Sequence, residues 1–276
     1  MRAALLQITS SDDPDENLAA VRARIEEATA DGAEFILTPE VTNCVSTSRS
    51  HQRDVLHHEA DDPTLAALRT DADRLGVWLL IGSLALKTGD PDGRFANRSF
   101  LVGSDGAIRA RYDKIHMFDV EVTPEETYRE SDGFRPGKSA CLADTPWGKL
   151  GLSVCYDVRF PHLYRCLAQA GADILTVPAA FSHVTGAAHW ESLLRARAIE
   201  TGCFVLAPAQ TGTHSAIRGQ ARRTHGHSLV IGPWGEVIAD GGTGTGIITV
   251  DLDLSEVAQA RRRVPSLRHD RDFDGP

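Results

Sequence analysis

Two halves of this chain of 276 residues follow a common plan, and this repetition restricts the fold more than any other feature of the sequence. Residues 32–39 (GAEFILTP) recur as residues 171–178 (GADILTVP), and residues 99–106 (SFLVGSDG) recur as residues 228–235 (SLVIGPWG). In each half, apolar runs and helical spacing predict the order strand, helix, strand, helix, and then strands joined by tight turns. The repeat is weak, but it indicates two similar halves packed together.

The order of elements predicts an α/β fold. Strands separated by helices pair in parallel through right-handed crossovers, and the glycine turns add antiparallel strands at the end of each half. Two such mixed sheets, packed face to face with helices outside, form a four-layer α-β-β-α sandwich with an internal pseudo-repeat. Helices are predicted at residues 14–30, 63–75, 160–171 and 187–201. Strands are predicted at residues 2–8, 34–38, 77–84, 97–103 and 107–112 of the first half, and at 149–154, 173–177, 203–209, 226–231, 235–240 and 246–252 of the second.

The domain organisation follows from the same pattern. Residues 1–253 are predicted to form one domain, and residues 254–276 a C-terminal helix and extended arm. The arm has little apolar surface to bury, so a contact with a neighbouring subunit is a candidate role for it.

Composition restricts the cellular compartment and the binding partners that the chain can have. The chain has 42% hydrophobic and 24% charged residues, and no window approaches the roughly 18 apolar residues of a membrane span. The formal net charge of −9 disfavours nucleic acid, which requires a basic surface. Five cysteines without a CxxC pair indicate reduced thiols. We therefore expect a cytoplasmic protein with a small-molecule substrate and neither a membrane nor a nucleic-acid partner.

Cys155 is the candidate nucleophile. It follows an apolar strand and precedes a predicted helix, so its sulfur is expected at a sharp turn. The positive end of a helix dipole lowers the pKa of a thiol. A cysteine is more often a small buried apolar group, so position alone does not decide. Glu40 and Lys114 also follow predicted strands, and ligands of α/β sheets bind at such strand ends, which predicts one shared pocket.

The three side chains together suit acyl transfer from an amide. Glu40, with its pKa raised by desolvation, would take the proton of the Cys155 thiol. Lys114 and the backbone N–H of Tyr156 would stabilise the oxyanion. This chemistry needs no metal and no cofactor. His225 and His227 share one face of a predicted strand, but no third ligand is evident.

The motifs around these residues resemble those of the nitrilase superfamily of carbon–nitrogen hydrolases. They are residues 38–40 (TPE), 112–119 (YDKIHMFD) and 151–161 (GLSVCYDVRFP), and the resemblance covers nearly the whole chain. It implies a Glu-Lys-Cys triad on an αββα fold, in a homodimer or higher homo-oligomer that forms through helical faces. The second and third motifs most resemble the Nit branch, whose amidases include ω-amidases and enzymes that act on deaminated glutathione.

The superfamily also carries a second glutamate near the lysine, which helps to position substrate and water. The candidates are Glu121, Glu125, Glu126 and Glu130. The frame of residues 128–131 (YRES) best resembles the superfamily pattern, so this role is assigned to Glu130. The other three glutamates are expected in a solvated loop.

The substrate is less constrained than the triad. Residues 211–225 form a long polar stretch that is expected to be a lid or a disordered loop. Its arginines, Arg218, Arg222 and Arg223, favour an anionic substrate, and a solvated loop is an equally good interpretation. Arg218 is the binding candidate among them. Arg159, Phe181 and Thr185 lie beside strand ends of the second half and are candidate pocket residues, although Phe181 fits the core equally well.

The leading hypothesis is a cofactor-independent thiol hydrolase. It would cleave a small, carboxylate-bearing amide through a Cys155 thioester and release ammonia and a carboxylic acid. The same triad also fits an N-carbamoyl amide, a nitrile or a different acyl acceptor. A binding or regulatory protein on a catalytically retired fold is the alternative of another class, and the presence of all three triad residues argues against it.

Overall fold

The computed structural model of this protein describes residues 1–123 and 126–276. The helices in these residues are α1 (Pro14–Ala30), α2 (Arg49–Val55), α3 (Pro63–Leu75), α4 (Pro161–Gln169), α5 (His183–Thr201) and α6 (Ser255–Arg263). The strands are β1 (Arg2–Gln7), β2 (Phe35–Leu37), β3 (Trp78–Lys87), β4 (Phe95–Val102), β5 (Ile108–Asp113), β6 (Asp119–Thr123), β7 (Glu126–Arg129), β8 (Cys141–Thr145), β9 (Gly148–Leu152), β10 (Ile174–Thr176), β11 (Phe204–Ala207), β12 (Thr211–His214), β13 (Arg222–His225), β14 (Leu229–Ile231), β15 (Val237–Asp240) and β16 (Gly246–Asp251).

Two mixed six-stranded sheets form the centre of the molecule, which confirms the predicted fold class. The first has the order β16-β1-β2-β3-β4-β5, and the second has the order β15-β14-β11-β10-β9-β8. In the first, β1, β2 and β3 are parallel and their neighbours are antiparallel. In the second, β9, β10 and β11 are parallel in the same way. The two sheets thus repeat one topology.

One strand crosses between the halves. Residues 246–252 were predicted as the last strand of the second half, but β16 pairs antiparallel with β1, with Arg2 opposite Asp251. The corresponding edge of the second sheet is β8, which the sequence pattern did not predict and which pairs antiparallel with β9. The end of the chain therefore completes the sheet with which the chain begins. Strand partners depend on long-range contacts, so the local pattern does not determine them.

The layers follow from alternation along the strands. In β1, Ala3 and Leu5 belong to the cluster that contains the core of the second sheet, whereas Ala4 and Leu6 pack with α1 and α3. Successive strand residues point to opposite faces, so one strand contributes to both layers. Helices α4 and α5 cover the second sheet in the same manner.

Two polar segments are hairpins where a loop was expected. Strands β12 and β13 pair antiparallel within the predicted loop of residues 211–225, and β6 pairs with β7 in the acidic stretch. His214 at the end of β12 is buried, with Nδ1 2.7 Å from the carbonyl oxygen of Ser10 and Nε2 2.8 Å from Oγ1 of Thr224. Strands β12 and β13 are held by these buried polar contacts, and β6 and β7 contain no buried residue, so all four lack the apolar alternation from which strands are predicted.

The C-terminal segment packs on its own chain. Helix α6 buries Val257 and Ala260, more than its charged sequence suggests. The guanidinium of Arg261 donates to the carbonyl of Ala172 at 2.6 Å. The domain boundary at residue 253 stays a prediction. Among the helices of the described residues, none is both long and apolar enough to pass through a membrane.

Candidate active site

The nucleophile turn and the glutamate turn both contain a strained residue. Cys155 follows β9 and has φ of 50°, and Val41, next to Glu40, has φ of 46°. This left-handed region is unfavourable for side chains with a Cβ, and costs on the order of 1–3 kcal/mol. The N–H of Cys155 donates to the carbonyl of Pro178 at 2.9 Å, and that of Val41 donates to Ser83 Oγ at 2.8 Å. The surrounding backbone therefore holds both turns in place.

Glu40 lies at the end of β2 in a closed hydrogen-bond network. Its Oε1 accepts from Nδ2 of Asn97 at 2.8 Å and from Nζ of Lys114 at 2.9 Å. Its Oε2 accepts from the N–H of Ala180 at 2.8 Å, and the Cys155 thiol is close enough to the carboxylate to affect its pKa. Both halves of the chain thus hold this carboxylate.

Lys114 joins two carboxylates. Its Nζ donates to Glu40, to Oε1 of Glu130 at 2.9 Å and to Oε2 of Glu130 at 2.8 Å, and its side chain is only 2% exposed. Oε2 of Glu130 also accepts from the N–H of Phe118 at 2.7 Å. The structure therefore brings together the four side chains that the sequence assigned to the chemistry.

The charges in this cluster differ from the expectation. Burial raises the pKa of Glu40, but Lys114, Arg222 and the neighbouring Cys155 thiol outweigh it and hold that pKa below the usual range. Burial and the Glu40 carboxylate raise the pKa of the Cys155 thiol. Burial lowers the pKa of Lys114, but Glu130 and Glu40 outweigh it and raise that pKa. The resting site is an ionised Glu40, a protonated Lys114 and a neutral thiol.

Two expectations were therefore wrong. The pKa of Glu40 is lowered rather than raised, because Lys114 compensates its charge. The thiol pKa is raised rather than lowered, because the sulfur is buried and the Glu40 carboxylate lies beside it, while a 3₁₀ turn (Cys155–Arg159) separates the sulfur from the start of α4. Burial and the distances between charged groups determine both shifts, and the sequence does not give them.

The cluster lies at the bottom of a cavity of about 650 Å³. Tyr156 and Phe181 line it, as predicted, and Phe181 also belongs to the core and packs on Trp190. Arg159 and Thr185 do not line it. Arg159 lies beside the rings of Tyr156 and Phe181, and Thr185 is in the first turn of α5. The other charged residues of the lining are Arg49, Glu126, Arg129, Arg222 and Arg223.

The arginine assignment needs a correction. Arg218 is exposed outside the cavity and pairs with Asp54 at 2.7 Å. Arg222 lies in the cavity wall, where its Nη2 donates to the carbonyl of Ala180 at 2.6 Å and its guanidinium lies over the ring of Tyr128. The positive charge of Arg222 acts to lower the pKa of both Glu40 and Cys155. The hairpin pairing decides this, since it turns the start of β13 toward the cavity and leaves the tip on the surface.

The other three glutamates of the acidic stretch differ in their positions relative to the cavity. Glu121 pairs with Arg129 at 2.9 Å on the surface. Glu126 was expected in a solvated loop, but it lines the cavity and accepts hydrogen bonds from Tyr128 and Ser182. Glu125 lies outside the described residues.

Asn97 is a site residue that the sequence analysis missed. Its Nδ2 lies 2.8 Å from Glu40 and 3.4 Å from Glu130, so it contacts both carboxylates. An amide within β4, a strand with mostly apolar residues, was the available signal, because a polar side chain in a core strand needs a partner.

The histidine pair lies near the cavity. His225 stacks on His227 with ring centroids 4.6 Å apart, and His227 Nδ1 lies 3.0 Å from Asp240. Within residues 1–123 and 126–276, no group of three or more His, Cys, Asp or Glu side chains is arranged to hold a metal ion.

Comparisons with known proteins agree with this geometry. A family model described as carbon-nitrogen hydrolase matches residues 2–262. A deaminated glutathione amidase of Yersinia enterocolitica is 40% identical over 269 residues, which cover 97% of this chain and 92% of that protein. The NitFhit crystal structure from C. elegans has a TM-score of 0.90 and 37% identity, over 98% of this chain and 65% of that longer one.

A third relative has a cysteine in its active site. A mutant of the amidase from Nesterenkonia sp. AN1, with acrylamide added at its active-site cysteine, has a TM-score of 0.77 and 27% identity over 96% of this chain and 98% of that one. The family match spans almost all of the residues described above. The chain therefore belongs to the carbon–nitrogen hydrolases of the nitrilase superfamily and is an enzyme of the amidase class.

Proposed function

We propose that this enzyme hydrolyses the amide bond of a small carboxylate-bearing substrate through a thioester on Cys155. Glu40 is the general base and acid, Lys114 and the N–H of Tyr156 stabilise the oxyanion, and Glu130 positions Lys114 and the water. Deaminated glutathione, the compound in the names of several relatives, is the first candidate substrate.

The observation that carries this proposal is the buried contact of Glu40 with both Lys114 and the Cys155 thiol. A carboxylate beside a thiol can take its proton, and an ammonium group in the same cluster can stabilise negative charge on a substrate oxygen. A nucleophile, a base and a group that stabilises the oxyanion are the requirements of acyl transfer to sulfur.

The first half of the reaction forms the thioester. The thiol proton passes to Glu40 as the sulfur attacks the amide carbon, since the neutral thiol and the ionised carboxylate are the resting forms. Lys114 and the Tyr156 N–H stabilise the oxyanion. Glu40 then donates the proton to the leaving nitrogen, and the C–N bond breaks. A primary amide releases ammonia, whereas deaminated glutathione releases the amine of its peptide part.

The second half returns the enzyme to its initial state. Glu40 takes a proton from water, and the water oxygen attacks the thioester carbon. The second tetrahedral intermediate collapses, the carboxylic acid leaves, and Glu40 returns the proton to the sulfur of Cys155. Lys114 stays protonated throughout, because Glu40 and Glu130 raise its pKa.

Arg222 supports the preference for a carboxylate-bearing substrate. Its guanidinium lies in the cavity wall near Cys155, and no carboxylate of the described residues lies within ion-pair distance of it. Guanidinium groups bind carboxylates through charge-assisted hydrogen bonds. A substrate carboxylate would therefore give Arg222 the charged partner that it lacks.

We further propose a cytoplasmic homodimer. The cysteines Cys44, Cys141, Cys155, Cys166 and Cys203 are free thiols, as in a reducing compartment. An apolar patch, defined by Ile199 of α5 and by Trp234, Val237 and Ile238 of the β14–β15 hairpin, is 39–56% exposed and is a candidate interface.

A substrate panel tests the proposed activity. We expect the wild-type enzyme to release 2-oxoglutarate from deaminated glutathione, and less or no product from N-carbamoyl amino acids and nitriles. Cys155→Ser should lose activity by at least about 1000-fold, because an alcohol is a far weaker nucleophile at neutral pH. An active Cys155→Ser enzyme, or a wild-type enzyme that prefers nitriles, would contradict the proposal.

Paired arginine variants test the carboxylate preference. Arg222→Gln should raise KM for a carboxylate-bearing amide by about 10- to 100-fold, the equivalent of one charge-assisted hydrogen bond. Arg218→Gln is the matched control and should leave KM unchanged, because Arg218 pairs with Asp54 outside the cavity. Equal KM values for the two variants would argue against Arg222 as the carboxylate contact.

A further inference from the structure

A buried carboxyl group that the reaction does not use lies between the lysine and the nucleophile. Asp157 is fully buried two residues after Cys155. Its Oδ2 accepts from the hydroxyl of Tyr112 at 2.7 Å and from the N–H of Val154 at 2.9 Å. Its Oδ1 accepts from the N–H of His116 at 3.0 Å and lies 2.7 Å from Nδ1 of the same residue.

These contacts connect the two halves of the chain. Tyr112 and His116 lie two residues before and two residues after Lys114, in the first half, while Val154 directly precedes Cys155 in the second. The ring of His116 is further fixed by stacking on Phe160 at 3.6 Å between centroids. One side chain thus holds the segment that carries the ammonium against the turn that carries the sulfur.

We propose that Asp157 is a positioning residue that sets the place of the Lys114 ammonium relative to the Cys155 sulfur. The inference depends on the proposed roles of these two residues, and not on the identity of the substrate. The two halves also meet through apolar sheet packing, which is non-directional, and through other hydrogen bonds, such as that from the N–H of Ala180 to Glu40, but the contacts of Asp157 join the residues on either side of Lys114 directly to the Cys155 turn. Hydrogen bonds restrict both distance and angle, so Asp157 adds the precision that packing lacks.

The backbone of Lys114 has other supports, but they belong to its own half. Its N–H donates to the carbonyl of Asn97 at 3.0 Å, and its carbonyl accepts from Gly137 at 2.8 Å. They fix the lysine on the first sheet without reference to the sulfur. Asp157 therefore acts on the distance between the two groups, and a misplacement near 1 Å at such a site can reduce rates by about 100-fold.

Asp157→Asn tests this proposal, because an amide cannot accept all of these hydrogen bonds. We expect kcat, on whichever amide the wild-type enzyme hydrolyses, to fall by at least about tenfold with KM within about twofold. Amide hydrogen exchange at Val154 and at His116 should become faster together. Asp71→Asn is the matched control: Asp71 is equally buried, pairs with Arg22 and Arg74 on the outer helices, and should lower Tm without lowering kcat.

A second variant keeps the test decisive if Asp157→Asn does not fold. Tyr112→Phe keeps the ring in the core and removes one hydrogen bond, so kcat should fall by about three- to tenfold. Unchanged kcat in the folded variants, or faster exchange at Val154 without His116 in Asp157→Asn, would overturn the proposal. Lack of activity on deaminated glutathione would instead overturn the proposed substrate, since the exchange measurement needs no substrate.

Discussion

At the scale of single residues, the site is a balance of buried charges. Two carboxylates, Glu40 and Glu130, share one ammonium, Lys114, and none of the three is more than 14% exposed. Buried charges are tolerated when they are paired and hydrogen-bonded. The same pairing keeps Glu40 ionised and the Cys155 thiol protonated, so attack and proton transfer must take place together.

The lowered pKa of Glu40 predicts the acid limb of the pH profile. The proposed reaction requires an ionised Glu40 in the free enzyme, and its pKa lies below the ordinary value of 4.5 because Lys114 and Arg222 outweigh burial. We therefore expect activity to be retained above pH 4.5 and to be lost as pH falls through the lowered pKa of Glu40. We expect kcat/KM to show no acid limb between pH 5 and 7, measured with enzyme that remains folded. An acid limb near neutral pH would contradict this charge state.

At the scale of elements, the β12–β13 hairpin carries the arginine that faces the cavity. Its tip is held by Asp12, whose buried carboxylate accepts from the N–H of Ile217 at 2.9 Å. The ends of its strands next to the tip are held by His214, between Ser10 and Thr224. The position of Arg222 therefore depends on buried polar contacts of residues that do not belong to the catalytic cluster.

The titration of His214 predicts how stability changes with pH. Burial lowers its pKa from 6.5 to about 4, so the folded protein holds it neutral. In the unfolded chain His214 takes up a proton below pH 6.5. The contribution of the neutral, buried His214 to the free energy of unfolding is therefore fully present above pH 6.5 and is lost as the pH falls toward 4. Wild type should lose on the order of 3 kcal/mol more than His214→Gln between pH 7 and 4, measured by urea unfolding. Parallel stability curves for the two proteins would argue against a neutral buried His214.

At the scale of the whole molecule, the pseudo-repeat assembles the site from both halves. Glu40 and Lys114 follow strands of the first sheet, and Cys155 follows a strand of the second. The parallel strands of each sheet end at this cavity. Each half alone therefore lacks part of the triad, and packing of the two sheets creates the site.

The apolar patch predicts the oligomeric state. We expect sedimentation to give a dimer for the wild-type enzyme, and a monomer for the double variant Ile199→Glu and Trp234→Glu, because buried carboxylates oppose an apolar interface. Ile217→Glu is the matched control, since Ile217 is 69% exposed on the hairpin tip, outside the patch. A monomeric wild type, or a double variant that stays dimeric, would contradict this interface.

The sequence alone determined the α/β class and the repeated halves, and it predicted the residues of the candidate site. Buried strands appear as apolar runs, and Glu40, Lys114 and Cys155 each follow one of them, so their common edge could be predicted from local pattern. Glu130 was found by resemblance to the superfamily.

Only the tertiary structure decided which partner each strand and each charge has. β16 pairs with β1, Arg222 rather than Arg218 reaches the cavity, and Asn97 and Asp157 connect groups far apart in the chain. The pKa shifts of Glu40 and Cys155 also follow from distances in space. Pairing and electrostatic energy depend on contacts between residues distant in sequence, whereas local propensity and periodicity report only on neighbours along the chain.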